Sequence, residues 1–232
     1  MEQGPVRLHL GCGYRYLEGY INIDVADDHG KRRVDLISPL EALSFPENSV
    51  DEIRVEHVFE HFPRWMAELF LLEWFNWLRP EGLLLIVVPD FETTARAIIE
   101  LQNEEEKCFK YRHIFGNHIN PFSFHRDGFS RSKLEWMLTK HGYRILLLQT
   151  MVVDANTFRH RWDIRCAAAK DKDAPPFEKR RAEVLRALEL YDEFEHTFSF
   201  VEQYLKKIAG SRQLEINFWL ERYASFWKSH ST

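Results

Sequence analysis

Three groups of residues in this sequence have types and spacings that can do chemistry. The first is Gly11-Cys12-Gly13, directly after the apolar run Val6 to Leu10. A buried strand ending in Gly-x-Gly turns sharply and lets a ligand approach its backbone without meeting a Cβ. A second short strand, Tyr20 to Ile23, ends in Asp24. An acid there, in a nucleotide-binding sheet, accepts the hydroxyl protons of a ribose. The second group is His57-Val58-Phe59-Glu60-His61, a literal His-x-x-Glu-His. Two histidines at i and i+4 on one helix face can grip zinc, with the glutamate as base of a zinc-dependent hydrolase. Here His57 directly follows a strand and Pro63 restricts Phe62, so that helix is not expected and no metal site is assigned. The third group is residues 106–129, with His113, His118 and His125 among Phe109, Tyr111, Phe115, Phe122, Phe124 and Phe129. So long a connection without clear periodicity reads either as a lid or substrate loop, or as aromatic cover for one edge of the core.

The elements that must position these residues alternate between strand and helix, the pattern of a parallel α/β sheet. Strands are expected over 6–10, 20–24, 33–37, 50–56, 83–88, 143–150 and 161–169, and helices over 64–78, 91–105 and 130–141. Leu83 to Val88 is apolar without alternation, as befits a central strand covered on both faces. Arg79-Pro80-Glu81-Gly82 before it reads as a turn that stops the preceding helix. Only residues 11–19 separate the first two strands, so the first crossover holds a single helical turn or a tight loop. A nicotinamide-binding fingerprint would need a third glycine where Tyr16 stands and an acid about 20 residues on, and both departures count against a dehydrogenase.

After Pro175-Pro176 the pattern becomes purely helical. Val184, Leu188, Tyr191, Phe194, Phe198, Val201, Leu205 and Ile208 recur every three or four residues, Gly210-Ser211 is a break, and Leu214 to Trp227 is a second amphipathic segment. The reading is a domain over 1–170 and a C-terminal helical hairpin over 171–232, packed on the sheet domain or joining two copies as a homodimer.

Composition narrows the partners. The 232 residues are 45 % hydrophobic and 14 % aromatic, enough for a sizeable core. A net charge of −5 argues against a nucleic-acid binder. The clusters Lys31-Arg32-Arg33 and Lys179-Arg180-Arg181 are too short to change that and read as solvated faces. Cys12, Cys108 and Cys166 are odd in number and widely spaced, as expected for reduced thiols in a cytoplasmic protein. No signal peptide is expected at the start, where Glu2, Pro5 and Arg7 interrupt any apolar stretch. Leu83 to Val88 is far too short to span a bilayer.

The order of these motifs resembles a class I S-adenosylmethionine-dependent methyltransferase. Leu10-Gly11-Cys12-Gly13 is similar to that family's first motif and Ile21-Asn22-Ile23-Asp24 to its second. Val34-Asp35-Leu36 and Leu43 to Ile53 look like the run from third to fourth strand. Glu56-His57-Val58-Phe59-Glu60-His61-Phe62 resembles the segment after the fourth strand. Leu78-Arg79-Pro80-Glu81-Gly82-Leu83 is similar to the turn before the fifth, with Glu81 in place of a glycine. The resemblance covers about residues 6–169, not 171–232, and is nearest a branch associated with cell-surface polysaccharide synthesis. It implies a Rossmann-like, seven-stranded, mostly parallel sheet with flanking helices. It also implies S-adenosylmethionine as cofactor, held by Leu10, Gly11, Cys12, Gly13, Asp24, Val25, Asp35, Leu36 and Glu56. Asp24 would take the ribose, and Asp35 and Leu36 the adenine. The acceptor would be a small molecule or a glycan, methylated at oxygen. A hydroxyl acceptor needs a base, for which His57 and then His125 are the candidates. The alternative is a non-catalytic nucleotide-binding module acting through its helical tail.

Overall fold

A computed structural model describes residues 4–27, 30–120, 122–154, 160–190 and 194–208. Seven strands form one sheet in the order β3-β2-β1-β4-β5-β7-β6. They are β1 (Arg7–Leu10), β2 (Ile21–Asp24), β3 (Leu36–Ile37), β4 (Val50–Glu56), β5 (Leu78–Pro89), β6 (Tyr143–Val153) and β7 (Arg161–Lys170). The first five are mutually parallel, and β7 runs antiparallel to both β5 and β6. All seven expected strands are present.

The β1–β2 crossover contains no helix. Side chains hold it instead. Asn22 accepts from Leu17 N at 2.9 Å and donates to the Leu17 and Tyr20 carbonyls, while Tyr16 donates to Asp35 at 2.9 Å. These bonds satisfy backbone groups that a helix would have paired internally.

β3 is only Leu36–Ile37 where 33–37 was expected, and two further boundaries differ from expectation. Val50 pairs with Leu78 and Glu52 with Leu83, so residues 79–82 are a bulge within β5 rather than a turn before it. Glu81 there has φ +62°, a left-handed backbone that favours glycine, and its exposed carboxylate pairs with Arg144. The helix expected over 91–105 is two: α2 (Phe91–Glu100) and α3 (Glu104–Phe115). Asn103 caps α3 by accepting from the amides of Glu105 and Glu106. Half of the presumed loop 106–129 is therefore helix. Its sequence, Glu104 to Phe115, lacks a single apolar stripe, which hid it.

Helix α1 (Arg64–Trp77) is apolar on nearly all sides and buried from Met66 to Phe75. Such a helix needs cover all round. The sheet lies on one side, and α5 (Phe177–Leu190) and α6 (Phe194–Ile208) pack on α1 as well. Val184, Val201, Tyr204 and Leu205 join the same core as Phe70 and Trp74. The helical stripe read as one continuous segment is thus two helices. The second amphipathic segment, Leu214 to Trp227, and Tyr191 lie outside the described residues, as do the side chains of Leu188, Phe194 and Phe198. Arg180 is not solvated: it is buried over the Phe75 ring at 4.0 Å and donates to the Pro175 carbonyl. Helix α4 (Arg131–Lys140) covers β6.

Candidate active site

The carboxyl ends of β1, β2 and β4 bring the first two sequence groups to one edge of the sheet. Open α/β sheets bind ligands there. Gly11 and Gly13 both have positive φ, +67° and +54°. They serve different ends. A Cβ at Gly11 would lie 2.3 Å from Val58 Cγ2, so Gly11 is required by its neighbour in the chain fold. A Cβ at Gly13 would meet nothing within 4 Å, so its face is open to a ligand. Asp24, 7 % exposed, accepts from the Gly13 amide at 2.8 Å through Oδ2. Its Oδ1 is held loosely, by Ala26 N at 3.4 Å and an ion pair to Arg32 at 3.6 Å. A carboxylate offers about four acceptor positions, so Asp24 keeps capacity for ribose hydroxyls. Arg32 also lies over the Tyr14 ring at 4.4 Å, and Tyr14 itself is 74 % exposed. Arg32, read as a solvated charge, belongs to this end of the site.

The remaining residues assigned to the cofactor have mixed surroundings. Leu10 and Cys12 are buried, and burial pushes the Cys12 thiol up to about 11, which makes it inert. Val25 and Leu36 are exposed at the strand tips. Glu56 is paired with Arg15 from the glycine loop and with Arg54 at 3.0 Å. Asp35 stands just before β3, and both oxygens of its carboxylate already accept hydrogen bonds. One oxygen accepts from Asn22 N at 2.8 Å and Asn22 Nδ2 at 3.1 Å, the other from Tyr16. Those bonds hold its carboxyl below the usual range. Its structure-supported role is to fix the β1–β2 crossover.

Beyond the β4 tip lies a cluster of imidazoles and carboxylates. His57 takes φ +55°, and a 3₁₀ turn over Phe59–His61 follows, so His57 and His61 do not share a helix face. This removes the inverted zinc-protease reading. His57 stands with Nδ1 3.6 Å from Glu60 Oε1 and Nε2 3.3 Å from Asp163 Oδ2. Burial pulls its pKa down, but the two carboxylates outweigh burial and raise it to about 10. His57 is therefore an imidazolium at neutral pH. In that charge state it is a poor proton acceptor.

His125 and His61 reach the same place. His125 Nδ1 lies 3.2 Å from the Ile114 carbonyl and His61 Nδ1 2.9 Å from the Phe124 carbonyl. The two rings meet edge to face at 4.9 Å. Burial lowers the His125 pKa, so it is neutral. Between them Glu60, 1 % exposed, has no hydrogen-bond donor on either carboxylate oxygen. Burial pushes its carboxyl up, but His57, His61 and His125 bring it below its ordinary value, so Glu60 is ionised. His113 completes the group, 3.7 Å from Asp163 and bonded to the Trp162 carbonyl. Loop residues 116–129 are tied to this cluster, with Arg126 N donating to the Glu60 carbonyl at 2.8 Å. Sequence reasoning found His57, Glu60 and His125, but not Asp163 beside His57, which long-range strand pairing brings there, nor Arg32 beside Asp24.

Residues 20–86 match the family model described as a methyltransferase domain. None of the curated proteins matches this sequence at a significant level. Among solved structures, an S-adenosylmethionine-dependent methyltransferase from Methanosarcina mazei is similar with a TM-score of 0.52 at 15 % identity, over 71 % of this chain and 92 % of that one. Another from Archaeoglobus fulgidus gives 0.51 at 15 % identity, over 72 % and 87 %. At such identity the likeness is one of fold. Together, the chain has the sheet fold of these S-adenosylmethionine-dependent methyltransferases, and residues 20–86 within it are similar to a methyltransferase domain.

Proposed function

We propose that the protein transfers the methyl group of S-adenosylmethionine to a hydroxyl of a small-molecule or glycan acceptor. The observation that carries the cofactor half is the Asp24 carboxylate, fixed on the Gly13 amide with one oxygen loosely held beside an open glycine face. Gly11 and Gly13 let the ligand approach the backbone, Asp24 takes the ribose diol, and Val25, Leu36 and Glu56 lie at the neighbouring strand tips. The cofactor supplies a methyl already activated on a sulfonium, so the chain's task is alignment and exclusion of water.

For the acceptor half, the loop after α3 offers exposed aromatic faces at Phe115, Phe122 and Phe124 next to His61 and His125, suited to stacking on sugar rings. A hydroxyl must lose its proton, and the neutral His125 beside Glu60 is the group with the right charge state to receive it. His57, as a cation between Glu60 and Asp163, holds the cluster's geometry. The free thiols of Cys12, Cys108 and Cys166 fit a reducing cytoplasm. No helix among the described residues is long and apolar enough to cross a membrane. Self-association as a homodimer through residues 209–232 is the other part of the reading, supported by the aromatic segment Trp219 to Trp227.

The test is calorimetry with S-adenosylmethionine and its demethylated product, followed by transfer of labelled methyl to a panel of glycan precursors. Binding with turnover on a hydroxylated acceptor is expected. Binding without turnover on any acceptor would favour the non-catalytic module.

A further inference from the structure

We propose that Glu60, His61 and His125 form a divalent-cation site suited to zinc. One ligand atom from each lies within 4.8 Å of the other two. Tetrahedral zinc bonds of 2.0–2.2 Å place ligand atoms roughly 3.3–3.5 Å apart, so the three need close by about 1.5 Å at most.

Three observations point to an ion rather than to chance proximity. Each imidazole has its Nδ1 on a backbone carbonyl, Phe124 for His61 and Ile114 for His125. A carbonyl accepts only, so Nδ1 is the donor in both rings and Nε2 is the nitrogen left to face a ligand. Metal-binding histidines are oriented in this way by their outer partners. Next, the Glu60 carboxylate is buried and receives no hydrogen bond on either oxygen. The nearest nitrogens, His57 Nδ1 at 3.6 Å and His125 Nε2 at 3.9 Å, stand beyond hydrogen-bond reach, and a bound ion would give the buried oxygens a partner. Finally, a cavity of about 10 Å³ adjoins Glu60 and His125, room for one water-sized body.

The set differs from the sequence motif. His57 is excluded by its backbone and held by Asp163, and His125 takes its place from a loop more than sixty positions along the chain. Two histidines and one glutamate leave a fourth zinc position open, the arrangement of sites that act on a bound oxygen. Resting on the methyltransferase reading, this deepens it: an acceptor hydroxyl docked at the open position becomes acidic and passes its proton to water. In that state His125 is a ligand and not the base.

The experiment uses the full chain with Cys108→Ser, which removes the exposed thiol, stripped with chelator and titrated with zinc by calorimetry without cofactor. One tight equivalent is expected, together with the visible absorption of tetrahedral cobalt when cobalt replaces zinc. Glu60→Gln, which keeps shape and loses charge, and His61→Ala/His125→Ala should each weaken zinc by roughly 100-fold or more. His118→Ala, in the same loop but outside the set, should bind as the parent does. Absence of a tight equivalent, or unchanged affinity in the folded double variant, overturns the site. Binding of S-adenosylhomocysteine on the same preparation reads the methyltransferase assignment separately, so either can fail alone.

Discussion

At the scale of the residue, Asp24 does two jobs with one carboxylate, positioning the glycine loop and facing the ligand. Asp24→Ala should weaken cofactor binding by about 1.5–3 kcal/mol, since a charge-assisted acceptor is lost. Calorimetry on the folded variant measures this, and unchanged affinity would remove Asp24 from the site. His57 gives a prediction in pH. Its folded pKa of about 10 lies above the ordinary 6.5, so its pairing stabilises the fold fully below about 6.5. That contribution is lost as the pH rises through about 10. The imidazole signals of His57, assigned with His57→Gln, should therefore stay in the protonated position at pH 8. A titration near 6.5 would show that Glu60 and Asp163 do not hold it. The glycine pair and Asp24 were legible in the sequence because their spacing is local. The fate of Asp35 was not, since its partner Asn22 stands across a crossover whose course only the fold reveals.

At the scale of the element, α1 carries two buried carboxylates that its sequence gives no reason to bury. Glu68 is met by Lys140 at 2.7 Å and His141 at 2.6 Å, both at the end of α4. Glu73 is met by Lys207 at 2.8 Å and by the Tyr204 hydroxyl, both from α6. Each pair ties a covering helix to the central one. Removing one partner strands the other charge, so Glu68→Ala should destabilise by about 3–5 kcal/mol in a denaturant melt. Burial pushes the Glu68 carboxyl up, but His141 and Lys140 outweigh it and hold it below 4.5. Its contribution is thus present above that pH and fades as the pH falls through the lowered value. The difference between parent and variant should shrink toward low pH, and a gap independent of pH would argue for packing instead of charge. Strands were readable here because Leu83 to Val88 and its neighbours are unbroken apolar runs. Helix α3 was not, because its capping Asn103 marks a start without an apolar face to follow.

At the scale of the whole molecule, the division at residue 170 does not match how the core is built. Buried Val184, Val201, Tyr204 and Leu205 each add roughly 1.5–3 kcal/mol, together comparable with the net stability of an ordinary domain. A chain cut after Pro176 should therefore aggregate or melt far lower than one cut after Ile208. Near-equal melting of the two would restore an autonomous sheet domain. Light scattering on the full chain and on the Ile208 cut then reads self-association. A dimer that becomes monomeric on losing 209–232 supports the homodimer reading, and a monomeric full chain ends it.

The contact between Gly11 and Val58 has a consequence for how this sequence can change. The cofactor loop and the loop that begins the imidazole cluster share a single packing point, where any added atom on one side must be matched by a removal on the other. Gly11 is thereby tied in sequence space to a residue 47 positions away. Val58→Ala opens the space without relieving the positive φ, so it should soften but not erase the effect of Gly11→Ala. The pair should then show a coupling in a double-mutant cycle, positive and well below full rescue, and the two halves of the site can drift only together.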